Sequence, residues 1–143
     1  MGHAAFRVRD LERSKQFYCD VLGLKPAFEM LPDEQGRGHI VYLYIANGQF
    51  LELFPAPNAA DDFSGGNTGS YRHFQLEVDD LQRTITEIEA RGLPRSPNPP
   101  RQGRDGNWQY WVTDPDGNRI ELMQMASDSL QRQAMERLDG SGR

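Results

Sequence analysis

Apolar and polar residues alternate near the start of the chain. Phe6 and Val8 fall on one face and Ala5 and Arg7 on the other, which is the period of a half-buried strand. Asp10 follows as a helix N-cap, Leu11, Tyr18 and Leu22 share one helical face, and Gly23 stops the helix. Three strand-like runs come next, around 26–32, at 39–46 and at 49–54, with GRG and NG as turns. The same order then returns. Asp80 caps a second helix whose stripe is Leu81, Ile85 and Ile88 and whose stop is Gly92. The runs NWQYWVT and RIELMQM, separated by DPDGN, predict a β-hairpin. Between helix and hairpin, LPRSPNPPRQGRDG holds too much proline for a central strand. Residues 127–138 place Leu130, Ala134 and Leu138 on one helical face, predicting a C-terminal helix packed on the body of the protein or on a neighbouring subunit.

Behind the pattern is an internal repeat. HAAFRVRDLERS, from residue 3, lies over HFQLEVDDLQRT, from residue 73, without a gap, and NGQFLELF at 47–54 lies over DGNRIELM at 116–123. The expected organisation is one domain, 1–143, of class α+β. It holds two tandem βαβββ modules, about 1–63 and 71–125, joined by a linker at 64–70. The linker, SGGNTGS, runs into a strand instead of a helix, so it lacks the helix N-terminus that a phosphate-cradling loop needs.

Each module opens with a histidine and closes with a glutamate. His3 shares a face with Ala5 and Arg7, and His73 with Gln75 and Glu77; Glu52 stands between Leu51 and Leu53, and Glu121 between Ile120 and Leu122. A lone acid in such a strand is ordinary. Four residues at matched positions give two imidazoles and two carboxylates, a set suited to a divalent transition metal with positions left for water or substrate. Zinc, nickel, cobalt, manganese and ferrous iron are all compatible with it. His39, opening a strand after GRG, reads as a rim or turn residue.

Composition narrows the function classes. A net charge of −5 with scattered arginines argues against nucleic acid, and no apolar run has the length of a membrane span. The single cysteine, Cys19, excludes an intramolecular disulfide, and the first ten residues carry no secretory pattern; both predict a cytoplasmic protein. A small-molecule substrate remains as the expected partner. Arg7 on the face of His3, Arg101 and Arg104 in the proline-rich loop, and the strand aromatics Tyr42, Tyr44, Trp108 and Tyr110 are the candidates to contact it.

FRVRDLERSKQFYCDVLGLK and TDPDGNRIELMQ, set in paired modules, resemble the vicinal oxygen chelate superfamily, which includes glyoxalase I, extradiol dioxygenases, methylmalonyl-CoA epimerase and the fosfomycin and bleomycin resistance proteins. The resemblance reaches to about Met125. It implies that the modules form a curved, half-barrel-like mixed sheet and that the metal ligands are His3, Glu52, His73 and Glu121. A His-Glu-His-Glu set is similar to that of glyoxalase I, whose metal binds the hemithioacetal of methylglyoxal and glutathione. Glu121 or Glu52 would then move a proton between adjacent carbons while the metal, nickel, cobalt or zinc before manganese or iron, stabilises an enediolate. The resemblance also implies a homodimer. Its alternatives are an extradiol-dioxygenase-like iron enzyme using His3, His73 and Glu121, and a ligand-binding resistance-type protein without catalysis.

Overall fold

The computed structural model describes residues 2–56 and 71–140; the expected linker at 64–70 lies outside the described residues. The chain divides into two compact units, Met1–Gly65 with the turn Asp114–Gly117, and Gly66–Thr113 with Asn118–Arg143. In the first unit come β1 (His3–Val8), α1 (Leu11–Lys15), which continues into a π-helical segment Gln16–Val21, then β2 (Lys25–Met30), β3 (Ile40–Tyr44) and β4 (Phe50–Pro55). The second holds β5 (Phe74–Glu77), α2 (Leu81–Ala90), β6 (Arg101–Gln102), β7 (Trp108–Thr113), β8 (Arg119–Gln124) and α3 (Leu130–Gly140). Each unit builds one four-stranded mixed sheet, ordered β1-β4-β3-β2 and β5-β8-β7-β6. First and last strands pair in parallel, and the remaining pairs are antiparallel. This α+β architecture is the expected class.

Local chemistry accounts for the elements. Asp10 and Asp80 both accept a hydrogen bond from the backbone N–H three residues on, at 3.0 and 2.9 Å, satisfying a donor that the first helical turn leaves open. Gly92 ends α2 at φ 101°, a conformation that costs a residue with a Cβ, and the N–H groups of Gly92 and Leu93 return to Glu89 and Ile88. Asn47 and Gly48, both at positive φ, make the tight turn between β3 and β4. The proline-rich stretch yields only the two-residue edge strand β6, where missing N–H donors do least harm.

Two expectations change. The first helix was expected to bury Leu11, Tyr18 and Leu22, but the buried set is Ser14, Phe17 and Tyr18, with Leu11 and Leu22 only half-buried. Widening to π geometry adds a residue to the turn, so neighbouring Phe17 and Tyr18 both face inward. The apolar face of α3 is not covered by the body of the protein: Leu130 and Leu138 are 63% and 68% exposed. The helix is tethered at its start instead, where the Leu130 N–H donates to Asp105 O at 2.8 Å and Asn107 Nδ2 to Gln131 Oε1 at 3.1 Å. Among the described residues no helix is long and apolar enough to cross a membrane.

The DPDGN segment makes the expected turn, with Gly117 at φ 89°, and it also contributes to the interior of the first unit. Asp114 and Asp116 are both buried. The Tyr18 hydroxyl donates to Asp114 Oδ2 at 2.7 Å, the Asp116 N–H donates to Asp114 Oδ1 at 2.9 Å, and the Arg9 N–H reaches the Asp116 carboxylate at 3.3 and 3.4 Å. Burial pushes the Asp116 carboxyl above the usual aspartate value, the charge of Asp114 adds to the rise, and Arg9 opposes both. Replacing Tyr18 by Phe removes a donor to a buried carboxylate. The expected cost is about 1–3 kcal/mol, read as a lower urea midpoint at unchanged slope; an unshifted midpoint would show that the hydroxyl contributes nothing net.

Candidate metal centre

Parallel pairing places the matched residues side by side within each unit. On β1, Ala5 lies opposite Glu52 of β4, and His3 stands two positions earlier on the same face. Beside β5, Gln75 lies opposite Glu121 of β8, and His73 again stands two positions earlier. The register is the same in both units. It brings His3 Nδ1 to 3.4 Å from Glu52 Oε1, and His73 Nε2 to 3.1 Å from Glu121 Oε2. Among the described residues no three or more His, Cys, Asp or Glu side chains are grouped as a metal site; the geometry shown is two pairs.

The surroundings of the pairs differ. Glu52 is 5% exposed, buried like its neighbours Leu51 and Leu53, so the strand is dry on both faces at this position. Tyr42 lies opposite it on β3 and donates its hydroxyl to the carboxylate, a bond that holds the phenol above its usual value. Beyond Tyr42 the face is aromatic. Phe28 stacks on Tyr42 with centroids 4.2 Å apart, and Tyr44 meets Phe50 edge-on at 5.5 Å.

In the second unit the residue opposite the glutamate is Trp111. Its ring meets the His73 imidazole edge-on at 4.8 Å, its Nε1 donates to Gln109 Oε1 at 2.8 Å, and the Arg119 guanidinium lies 4.3 Å from its centroid. Trp108 and Tyr110 alternate with Trp111 and so take the other face of β7. Tyr110 is buried there and its hydroxyl accepts from the Ser96 N–H at 3.0 Å; Trp108 is largely exposed. Sequence reading saw Trp111 only as one of the aromatics after the proline-rich loop, without placing it beside Glu121, and missed Arg119. Counting outward from Glu121 across the DPDGN turn would have found both, because the hairpin pairs 111 with 121 and 113 with 119.

Of the proposed substrate contacts, Tyr42 and Tyr44 share the face of Glu52, Arg7 shares the face of His3, and Arg101, paired with Gln109, shares the face of Trp111. Arg104 sits in the exposed turn before β7. His39 pairs with Glu29 near the start of β3, and that bond lowers the Glu29 carboxyl. Cys19 lies in the π-helical segment, where partial burial raises its thiol.

A family model described as Glyoxalase/Bleomycin resistance protein/Dioxygenase superfamily matches residues 1–122. The chain belongs to this superfamily. It is 31% identical over 131 residues to a protein of Synechocystis sp. named "probable lactoylglutathione lyase", covering 87% of this chain and 95% of that one. A Vibrio cholerae protein of the same name is 32% identical over 126 residues, covering 85% and 88%. Among solved structures, the trypanothione-dependent glyoxalase I of Leishmania major superposes with a TM-score of 0.71 at 23% identity, covering 99% of this chain and 98% of that one. At that identity the superposition speaks for the fold alone.

A buried carboxylate with an imidazole and a phenol for company is a costly choice for a sheet interior, where an aliphatic residue would serve. Glu52→Gln in the metal-free protein is therefore expected to unfold at wild-type denaturant concentration or above, within about 1 kcal/mol. A loss well beyond that would make the carboxylate a structural member of the sheet.

Proposed function

We propose that this protein is a divalent-metal-dependent lyase or isomerase of glyoxalase I type, working as a homodimer on a small carbonyl–thiol adduct such as the hemithioacetal of methylglyoxal and glutathione. The observation that carries the reading is the His–Glu pair repeated in one register, at 3.4 and 3.1 Å, in both units. Relatives named lactoylglutathione lyase at 31% and 32% identity support it. The donors fit the group: His3, Glu52, His73 and Glu121 offer two nitrogens and two oxygens, the set that nickel, cobalt or zinc accepts. When bound, such an ion supplies positive charge toward two neighbouring oxygens of the substrate.

The roles of the two glutamates follow from their neighbours. Glu52, buried and held by the Tyr42 hydroxyl, is the fixed ligand. Glu121 has the more open side chain, 14% against 7% exposed, and among the described residues no tyrosine clamps it; its carboxylate takes the proton from one carbon and returns it to the next. The edge of Trp111 against His73 keeps the imidazole from rotating away. The aromatic face of Phe28, Tyr42, Tyr44 and Phe50 takes the apolar part of the substrate.

Tag-free protein is expected to carry a tight divalent ion by mass spectrometry and to turn over the methylglyoxal–glutathione adduct. Glu52→Gln loses the ion, while Glu121→Gln with ion bound loses turnover by about a hundredfold or more. Wild-type turnover by metal-loaded Glu121→Gln would end this mechanism, and tight ligand binding without turnover under any metal would favour the resistance-type reading. Mixing the two variants assigns the ligands to subunits: recovery of about a quarter of wild-type activity means pairs drawn from two chains, and no recovery means pairs from one.

A further inference from the structure

Between α2 and the proline-rich segment after it lies a cavity of about 370 Å³, wholly within the second unit. Tyr110 reaches it from the face of β7 turned away from Trp111, so it is separate from the His73–Glu121 pair. Buried Ile85 and Tyr110 form its floor, and Pro97, Pro99 and Pro100 line its side. With φ fixed, those prolines keep the segment stiff and the gap open. The segment is tied to the floor where the Ser96 N–H donates to the Tyr110 hydroxyl at 3.0 Å. Three polar groups on this cavity are unspent. The Tyr110 hydroxyl accepts from Ser96, but among the described residues its own proton has no acceptor, an uncommon condition for a residue only 3% exposed. Glu89 is half-buried on α2, whose ion pairs go instead to Glu87, reached by Arg83 and Arg91. Arg95 stands across from it on the proline-rich segment. Among the described residues neither Glu89 nor Arg95 is in an ion pair, with the other or with any third group. One anion and one cation thus border the same cavity without touching.

We propose that this cavity is a second binding site, for a small zwitterion: a free α-amino acid with an apolar side chain. The ligand's carboxylate pairs with Arg95 and accepts the Tyr110 proton, its ammonium pairs with Glu89, and its side chain rests on Ile85 and the prolines. A ligand with only one of the two charges would leave the other protein group as it stands. A volume of about 370 Å³ is near the small end for ligand sites, which suits a molecule of that size. None of these residues is a proposed metal ligand, and the site is independent of the proposed reaction.

The test is calorimetric titration of the full-length protein with L-leucine and L-phenylalanine and with analogues of each that keep one charge. The analogues 4-methylpentanoate and 3-phenylpropanoate lack the ammonium; 3-methylbutylamine and 2-phenylethylamine lack the carboxylate. Wild type is expected to bind at least one of the amino acids, about tenfold to a hundredfold more tightly than either of its analogues. Glu89→Gln lowers affinity for the amino acid by the same factor and leaves the ammonium-free analogue unaffected. Arg95→Gln does the same for the amino acid and leaves the carboxylate-free analogue unaffected. Neither side chain is part of the core, so both variants keep the wild-type urea midpoint. The proposal falls if neither amino acid binds, if a one-charge analogue binds as tightly as its parent, or if either substitution leaves the parent's affinity unchanged. Metal content and turnover, the readouts of the proposed reaction, do not enter this titration, so either reading can fail without the other.

Discussion

The parallel pairing of each unit's first strand with its last is the constraint on which the chemistry depends. Parallel strands cannot be joined by a tight turn and need a long connection, which in each unit is made of the helix and two further strands. Register then does the rest. With Ala5 opposite Glu52 and Gln75 opposite Glu121, the histidine two residues earlier comes within reach of the carboxylate on the shared face. A slip of one residue would send either partner to the opposite face, so the buried aliphatic residues that lock the register also hold the site.

The two units use this scheme with different supports. In the first, the glutamate is deep and a tyrosine clamps it; in the second, it is more open and a tryptophan braces the histidine. Tyr42 and Trp111 occupy equivalent positions, each directly opposite its glutamate. A repeat whose histidines and glutamates match while their neighbours diverge suits the division of labour proposed above, one carboxylate to hold and the other to move a proton. Arg119 extends the asymmetry: its counterpart in position, Phe50, meets Tyr42 edge-on, so a cation against indole in one unit is replaced by an aromatic pair in the other.

Acidic residues elsewhere show how little composition says about role. Asp114 and Asp116 are as buried as Glu52, yet Asp114 accepts from the Tyr18 hydroxyl and the Asp116 N–H and Asp116 from the Arg9 N–H, which makes them interior braces of the first unit. Asp10 and Asp80 spend theirs on helix caps. Glu29 has an imidazole beside it in His39, but only Glu52 and Glu121 have one that repeats in the same strand register in both units.

Much of this was readable from the chain. The repeat, the α+β class, the caps at Asp10 and Asp80, the stops at Gly23 and Gly92 and the DPDGN turn are local signals, set by backbone geometry within a few residues, and they needed no tertiary context. The matched histidines and glutamates were visible because a repeat is a comparison of the chain with itself. What the sequence left open depended on neighbours distant along the chain. The π-helical widening that turns Phe17 and Tyr18 inward, the burial of Glu52 on a face that reads as polar, and the choice of Trp111 over Trp108 beside Glu121 are decided by which strand lies against which and in what register. Alternation names two faces but not which one is dry. Only packing decides that, because burial is a property of the assembled sheet and not of any one strand.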